Sequence, residues 1–215
     1  MIQVMVVDDD NLVRLGISRL LSDVSGIEVV AEAASGEEAV KLAKEKHPHV
    51  VLMDIRMPGI GGLEATRKMM RHDPNVKIIA ITVCDAEPFP SKLLQAGASG
   101  YLTKGAKPEE MVNAIRSVHA GKRYLGVEIA QQLALRNLSE GDKKTPFEEL
   151  SERELQVTMM ITAGSNVQEI ADRLCVSPKT INTYRYRIYE KLNVNSDVGL
   201  TLFALRHGLV DREPS

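Results

Sequence analysis

The 215 residues include no tryptophan, only two cysteines, three phenylalanines and five tyrosines. Cys84 and Cys175 stand far apart in the chain, and neither has metal-ligating neighbours. That excludes a disulfide framework and a thiolate metal knot, and leaves a reduced, cytoplasmic protein as the expectation. No stretch approaches the ~18 apolar residues of a membrane span. The start, "MIQVMVVDDD", has no basic segment before an apolar core, so no signal peptide is read there. An excess of one charge is missing too, because the net charge is −2. A surface for nucleic acid must therefore be local, a single helix face and not a whole domain.

What the sequence does contain, in its first half, is alternation. Apolar runs recur at 2–7, 27–33, 49–53, 77–82 and 100–103, continuous enough to be strands covered on both faces. Helical patterns fall between them. In 11–24, Leu12, Val13, Gly16, Ile17, Leu20, Leu21 and Val24 share one helix face. Ser35, with Glu38 three residues on, marks the start of a second helix. Further helices are read at 63–71, about 90–96 and 107–120. Strand-helix alternation over about 120 residues implies an α/β, doubly wound, five-stranded parallel sheet.

Sites in such sheets lie outside the carboxyl ends of the strands. The first strand ends in Asp8, Asp9 and Asp10, the third in Asp54, the fourth in Thr82, and the fifth is followed by Lys104. Clustered carboxylates repel unless a cation intervenes. Mg²⁺, a hard ion, suits carboxylates and phosphate oxygens. A carboxylate can attack phosphorus to give an aspartyl-phosphate, while an ammonium neutralises the transferring group. Taken singly, Asp54 is an ordinary strand-end acid, Thr82 a strand residue and Lys104 a solvated cation. Asp10 reads as a helix N-cap. The joint placement is what points to chemistry.

Asp8-Asp9, Asp54 in "LMDIRMPGIGG", Thr82, and Lys104 in "GYLTKG" resemble the receiver domain of bacterial response regulators. The resemblance implies a flavodoxin-like fold with Asp54 as phosphoacceptor. It implies Mg²⁺ held by Asp8, Asp9, Asp54 and the backbone carbonyl of Arg56. Thr82 and Tyr101 would be the switch pair and Lys104 the phosphoryl-binding cation. Gly105 departs from the proline common after that lysine. The segment 83–100, with Pro88 and Pro90, reads as the moving surface.

From Gly121 to about Pro146 the chain turns polar, with a short helix read at 126–135 and a linker after it. The expected division is 1–121, 122–146 and 147–215. The last segment reads as all-α. Ser151 and Glu154 form a capping-box pattern, and Gly164 stops that helix. A short helix, 167–174, is followed by Ser177 and Pro178 opening a longer one that buries Ile181, Ile188 and Leu192. A last helix is read from Asp197 to about His207. Short helix, turn and long helix make a helix-turn-helix, whose second helix enters the DNA major groove. Residues 177–191 hold four Lys/Arg against one Glu, a local +3. Lys179, Thr180, Asn182, Thr183 and Tyr186 lie toward the outer face, where Asn suits adenine and Lys guanine, while Arg185 and Arg187 suit phosphates.

This second half resembles the four-helix LuxR-type DNA-binding domain, and the whole chain is similar to the NarL/FixJ class of two-component response regulators, within it the GacA/UvrY subgroup. The resemblance implies a phosphoprotein that regulates transcription of small regulatory RNAs, not an enzyme with substrate turnover. Its partners would be double-stranded DNA, a hybrid sensor histidine kinase and a second copy of the chain, without a membrane. Leu200, Phe203 and Ala204 are expected at the dimer contact. Tyr184 stands where the family usually has histidine. The alternative is a phosphohydrolase or phosphotransferase with an aspartyl nucleophile. Against it, Leu12 replaces the hydroxyl that a dehalogenase-type phosphatase needs after D-x-D.

Overall fold

The computed structural model describes residues 1–82, 89–127, 129–131 and 146–210. The chain divides into two compact units, Met1–Asp142 and Lys143–Ser215.

The first unit alternates β1 (Ile2–Val7), α1 (Asn11–Ser22), β2 (Ile27–Ala33), α2 (Gly36–Lys46), β3 (Val50–Asp54), α3 (Gly61–His72), β4 (Lys77–Thr82), α4 (Phe89–Gln95), β5 (Gly100–Thr103) and α5 (Pro108–His119). All pairings are parallel, in the order β2-β1-β3-β4-β5. Alternate residues of each strand feed opposite faces. Val4, Val6, Leu52 and Ile79 join Leu21 of α1 and Met111, Ile115 and Val118 of α5. Met5, Val7, Met53 and Ile78 join Ala39 of α2 and Ala65 and Met69 of α3. Two buried faces explain why the strands read as continuous apolar runs.

The sheet has a sixth strand, β6 (Tyr124–Leu125), parallel to β5, so the five-stranded expectation is corrected. Two residues are too short to carry periodicity, and the pairing is specified by Gly100 and Tyr101 alongside. The helix read at 126–135 is present at residues 127 and 129–131, and its remainder lies outside the described residues. The inward stripe is Ile17, Leu20 and Leu21 of α1, continued by Val24 just past its end. Leu12, by contrast, is 81% exposed and Gly16 is exposed as well.

The second unit holds a 3₁₀ turn (Pro146–Glu149), then α6 (Glu152–Thr162), α7 (Val167–Leu174), α8 (Pro178–Leu192) and α9 (Asp197–Arg206). Ser151 and Glu154 complete a capping box on α6, and Asn166 and Glu169 do the same on α7. Ser177 caps α8, with Pro178 in its first turn. Ile170, Ala171 and Leu174 of α7 are buried, as are Ile181, Ile188 and Leu192 of α8. Phe147 and Leu150 close the same unit's core. Leu200 and Ala204 of α9 have no accessible surface within this unit. They are core residues of this unit. Phe203, half-buried, packs edge-on against Phe147 and lies over His207. The apolar residues that α9 exposes are Val198 (71%) and Leu202 (50%).

Candidate phosphoacceptor site and recognition helix

β1 and β3 are neighbours, and the chain leaves them for helices on opposite faces of the sheet, so a crevice opens between their carboxyl ends. Asp8 and Asp54 stand at that point, 1% and 3% exposed. Buried carboxylates need partners. Lys104 Nζ supplies one, 2.8 Å from Oδ2 of Asp8 and 2.8 Å from Oδ2 of Asp54. The second oxygen of each acid accepts a backbone N–H, from Asp10 for Asp8 (2.9 Å) and from Arg56 for Asp54 (3.1 Å). Arg14 Nη1 also donates to the Asp8 carbonyl at 2.7 Å. Exposed Asp9 joins Asp8 and Asp54, with one carboxylate oxygen of each within 4.8 Å of the others. Asp10 turns away and caps α1, accepting from Leu12 and Val13.

Burial pushes the Asp54 carboxyl above its ordinary range; Lys104 pulls it back, and the Asp8 charge adds to the rise. Burial pulls the Lys104 ammonium down, but its hydrogen bonds to Asp54 and Asp8 outweigh that and raise it. The ammonium is thus held charged between two acids, one of them strained toward protonation.

The glycines behind Asp54 have separate reasons. Gly59 and Gly61 take φ of 82° and 65°, in the left-handed region. At Gly62 a Cβ would lie 2.0 Å from the Asp54 carbonyl oxygen. Its own N–H donates to the Ile55 carbonyl at 3.0 Å, so α3 starts in contact with the strand end. Glu37 of α2, which the sequence did not single out, accepts the Ile60 N–H at 3.1 Å and ties down this loop.

Thr82 ends β4, opposite Thr103 of β5. Its side chain, and residues 83–88 of the expected moving surface, lie outside what is described. Tyr101 is fully buried. Lys104 and Gly105 sit in a turn closed by the Ala106 N–H on the Thr103 carbonyl.

On α8, Lys179, Thr183, Tyr186 and Arg187 are exposed, and Thr180, Asn182 and Arg185 are half-buried. Arg185 is committed inside the unit, its Nη2 lying 2.6 Å from Asp197 Oδ2. In this structure Asp197 engages that guanidinium. Asp197 was not legible as its partner, since twelve residues and a helix boundary separate them. Lys191 pairs with Glu154 at 2.6 Å.

Residues 4–116 match the response regulator receiver domain family, and 148–204 match the luxR family of bacterial regulatory proteins. A relative named response regulator GacA, from Pseudomonas syringae pv. syringae, is 60% identical over 98% of this chain and 99% of its own. The chain belongs to the NarL/FixJ-class response regulators, in the GacA/UvrY group. Response regulator UvrY of Escherichia coli K12 is 55% identical to this regulator, over 99% of this chain and 98% of that one. A solved structure of RcsB from Salmonella enterica serovar Typhimurium, bound to promoter rprA with the phosphomimetic BeF₃⁻, aligns with a TM-score of 0.72. It is 26% identical, covering 94% of this regulator and 98% of RcsB. Among the described residues no helix is long and apolar enough to cross a membrane.

Proposed function

We propose that this response regulator takes a phosphoryl group on Asp54 from a sensor histidine kinase and thereby switches its LuxR-type unit, whose α8 reads operator DNA. The observation that carries the reading is the Lys104 ammonium spanning Asp8 and Asp54 beside exposed Asp9. Three clustered carboxylates are a hard, all-oxygen donor set of the kind Mg²⁺ takes. Asp8, Asp9, Asp54 and the Arg56 carbonyl would hold the ion, which when bound neutralises charge on the transferring phosphoryl group.

The chain's own residues do the rest. Asp54 presents a carboxylate oxygen as nucleophile at the strand end, its other oxygen steadied by the Arg56 N–H. Lys104, already 2.8 Å from the attacking side chain, stabilises the phosphoryl oxygens. Thr82 bonds a phosphoryl oxygen only in the modified state, and Tyr101 packs inward behind it. The added charge thus biases a two-state surface at β4–β5. The receiver domain would run through 1–121 with β6 appended, 122–146 would link, and 147–215 would be the output domain. The output reads DNA through Lys179, Thr180, Asn182, Thr183, Tyr186 and Arg187. The regulated genes include small regulatory RNAs, as the resemblance of the 83–101 and 177–192 segments implies. Two copies meet on DNA through the apolar residues α9 exposes, in place of the buried Leu200 and Ala204. The protein works in the cytoplasm and turns over no separate substrate.

Incubating the purified chain with acetyl phosphate and Mg²⁺ should add one phosphoryl group to the intact mass, and Asp54→Asn should abolish it. An unchanged wild-type mass overturns the reading.

A further inference from the structure

Arg185 sits three residues after Asn182 on α8, and its guanidinium is held from several sides. Nη2 and Nε donate to the two carboxylate oxygens of Asp197, at 2.6 and 3.2 Å. Nη2 also donates to the Tyr189 hydroxyl at 3.2 Å, and that hydroxyl in turn donates to Asp197. Asp197 opens α9, where a helix N-terminus favours a carboxylate. What remains of the fork, Nη1, donates to Oδ1 of Asn182 at 3.1 Å.

A guanidinium has donors and no acceptor, so the amide atom that faces it must be the oxygen. The Asn182 nitrogen makes no hydrogen bond to a described residue. Asn182 is half-buried on the flank of α8 whose neighbours Lys179, Thr183 and Tyr186 are exposed. We propose that Arg185, fixed by Asp197 and Tyr189, is a positioning residue that makes Asn182 a donor-only reader of base edges, selecting guanine and rejecting adenine. The proposal rests on the DNA-reading role given to α8 above. An asparagine pairs with adenine by donating to N7 while its oxygen accepts from the N6 amine. With its oxygen turned to Arg185, Asn182 meets that amine donor to donor. Guanine offers N7 and O6, both acceptors, and suits the free amide N–H groups. This replaces the adenine pairing that the residue type alone suggested.

The test uses the full chain with acetyl phosphate and Mg²⁺ in binding-site selection from random duplex DNA. Asn182→Ala locates the base pair concerned, as the position whose preference disappears. Guanine is expected there in the wild type, enriched over adenine by roughly tenfold, the range of one good base contact. Asn182→Asp should move the preference to cytosine. One carboxylate oxygen would stay on Arg185 while the other accepts from the cytosine N4 amine. Arg185→Met frees the oxygen, and adenine should rise to parity with guanine. Base identity is the readout, so a general loss of affinity does not imitate the effect. Adenine at this position in the wild type overturns the proposal and leaves DNA reading intact. So does an Asn182→Ala variant with unaltered preferences. A wild-type protein that enriches no sequence overturns the DNA-reading role itself, and the inference falls with it. If Arg185→Met loses its helical circular dichroism, the two Asn182 variants decide.

Discussion

Replacing Gly62 by alanine tests whether the strand end and α3 are as tightly joined as the geometry states. The added Cβ would meet the Asp54 carbonyl oxygen at 2.0 Å and the Ile55 Cα at 2.7 Å. Both are backbone atoms, so no side chain can swing aside, and the two segments must part by about 1.4 Å to reach ordinary contact. Overpacking of this kind costs about 3 kcal/mol or more. Alanine returns up to about 1 kcal/mol of helix propensity. The net expectation is a loss of about 2 kcal/mol or more, a fall of roughly 5–10 °C in the melting temperature of the first unit. Gly16→Ala is the matched control. It lies on exposed α1, has nothing within 4 Å of the added atom, and should gain up to about 1 kcal/mol. Urea unfolding of both variants, with phosphorylation by acetyl phosphate alongside, gives the answer. The parting displaces Asp54 itself, so Gly62→Ala should also phosphorylate more slowly. A Gly62→Ala protein as stable as wild type would refute the reasoning.

Lys104→Met leaves two buried carboxylates without their cation and should cost about 3 kcal/mol in EDTA at neutral pH, part of it regained with Mg²⁺. Urea titrations with and without the ion check this, and unchanged stability would count against the ion-pair geometry. In the LuxR-type unit, burial pushes Glu154 up, but Lys191 and the Ser151 hydrogen bonds outweigh it and hold its carboxyl below the ordinary glutamate range. A lowered folded pKa gives stability that is present above the unfolded value and lost as pH falls through the folded one. Glu154→Gln should therefore cost about 1 kcal/mol at neutral pH, discounted because Lys191 is a third exposed, and should flatten the acid limb of thermal melts. An acid limb of unaltered slope would speak against it. On α9, Leu200→Ala should lose about 2–5 kcal/mol as a core deletion, whereas Val198→Glu should keep stability within about 0.5 kcal/mol and lower the dimer fraction in sedimentation of the phosphorylated chain. Equal destabilisation by the two would contradict the assignment of inside and outside on that helix.

Much of the first unit was legible because both faces of its sheet are covered, which writes each strand as an apolar run ending in a polar residue. The convergence of Asp8, Asp54 and Lys104 followed from topology, since all three stand at the same, carboxyl edge of one parallel sheet, after β1, β3 and β5. Where a residue's meaning depends on one distant atom, the sequence was silent. Gly62 reads as any turn glycine until the Asp54 carbonyl is seen against it. Glu37 reads as a first-turn helix acid until it is seen holding the Ile60 N–H. β6 is two residues long, below the reach of any periodicity. Leu12 obeys the helical repeat of its neighbours yet lies beyond the edge of the stripe that reaches the sheet. On α9, Leu200, Phe203 and Ala204 share one face, and spacing shows that a face is apolar without showing which neighbour covers it. Here the covering is the unit's own core.

Charge on α8 shows the same gap, with a consequence for function. By count the segment 177–191 carries +3, which reads as a basic helix. In three dimensions Arg185 is neutralised by Asp197 and Lys191 by Glu154, and both partners lie outside the segment. Lys179 and Arg187 remain as cations without an ion pair among the described residues, against the acid Glu190. A helix with two free cations releases few counterions, so sequence-independent attraction to DNA is weak for a single output unit. On the proposed function, affinity then comes from base contacts and from joining two such units. A regulator whose units bind poorly alone is one that control of pairing can switch. The charges that α8 commits to Asp197 and Glu154 hold the fold and, on the proposed function, lower the affinity of an output unit that stands alone.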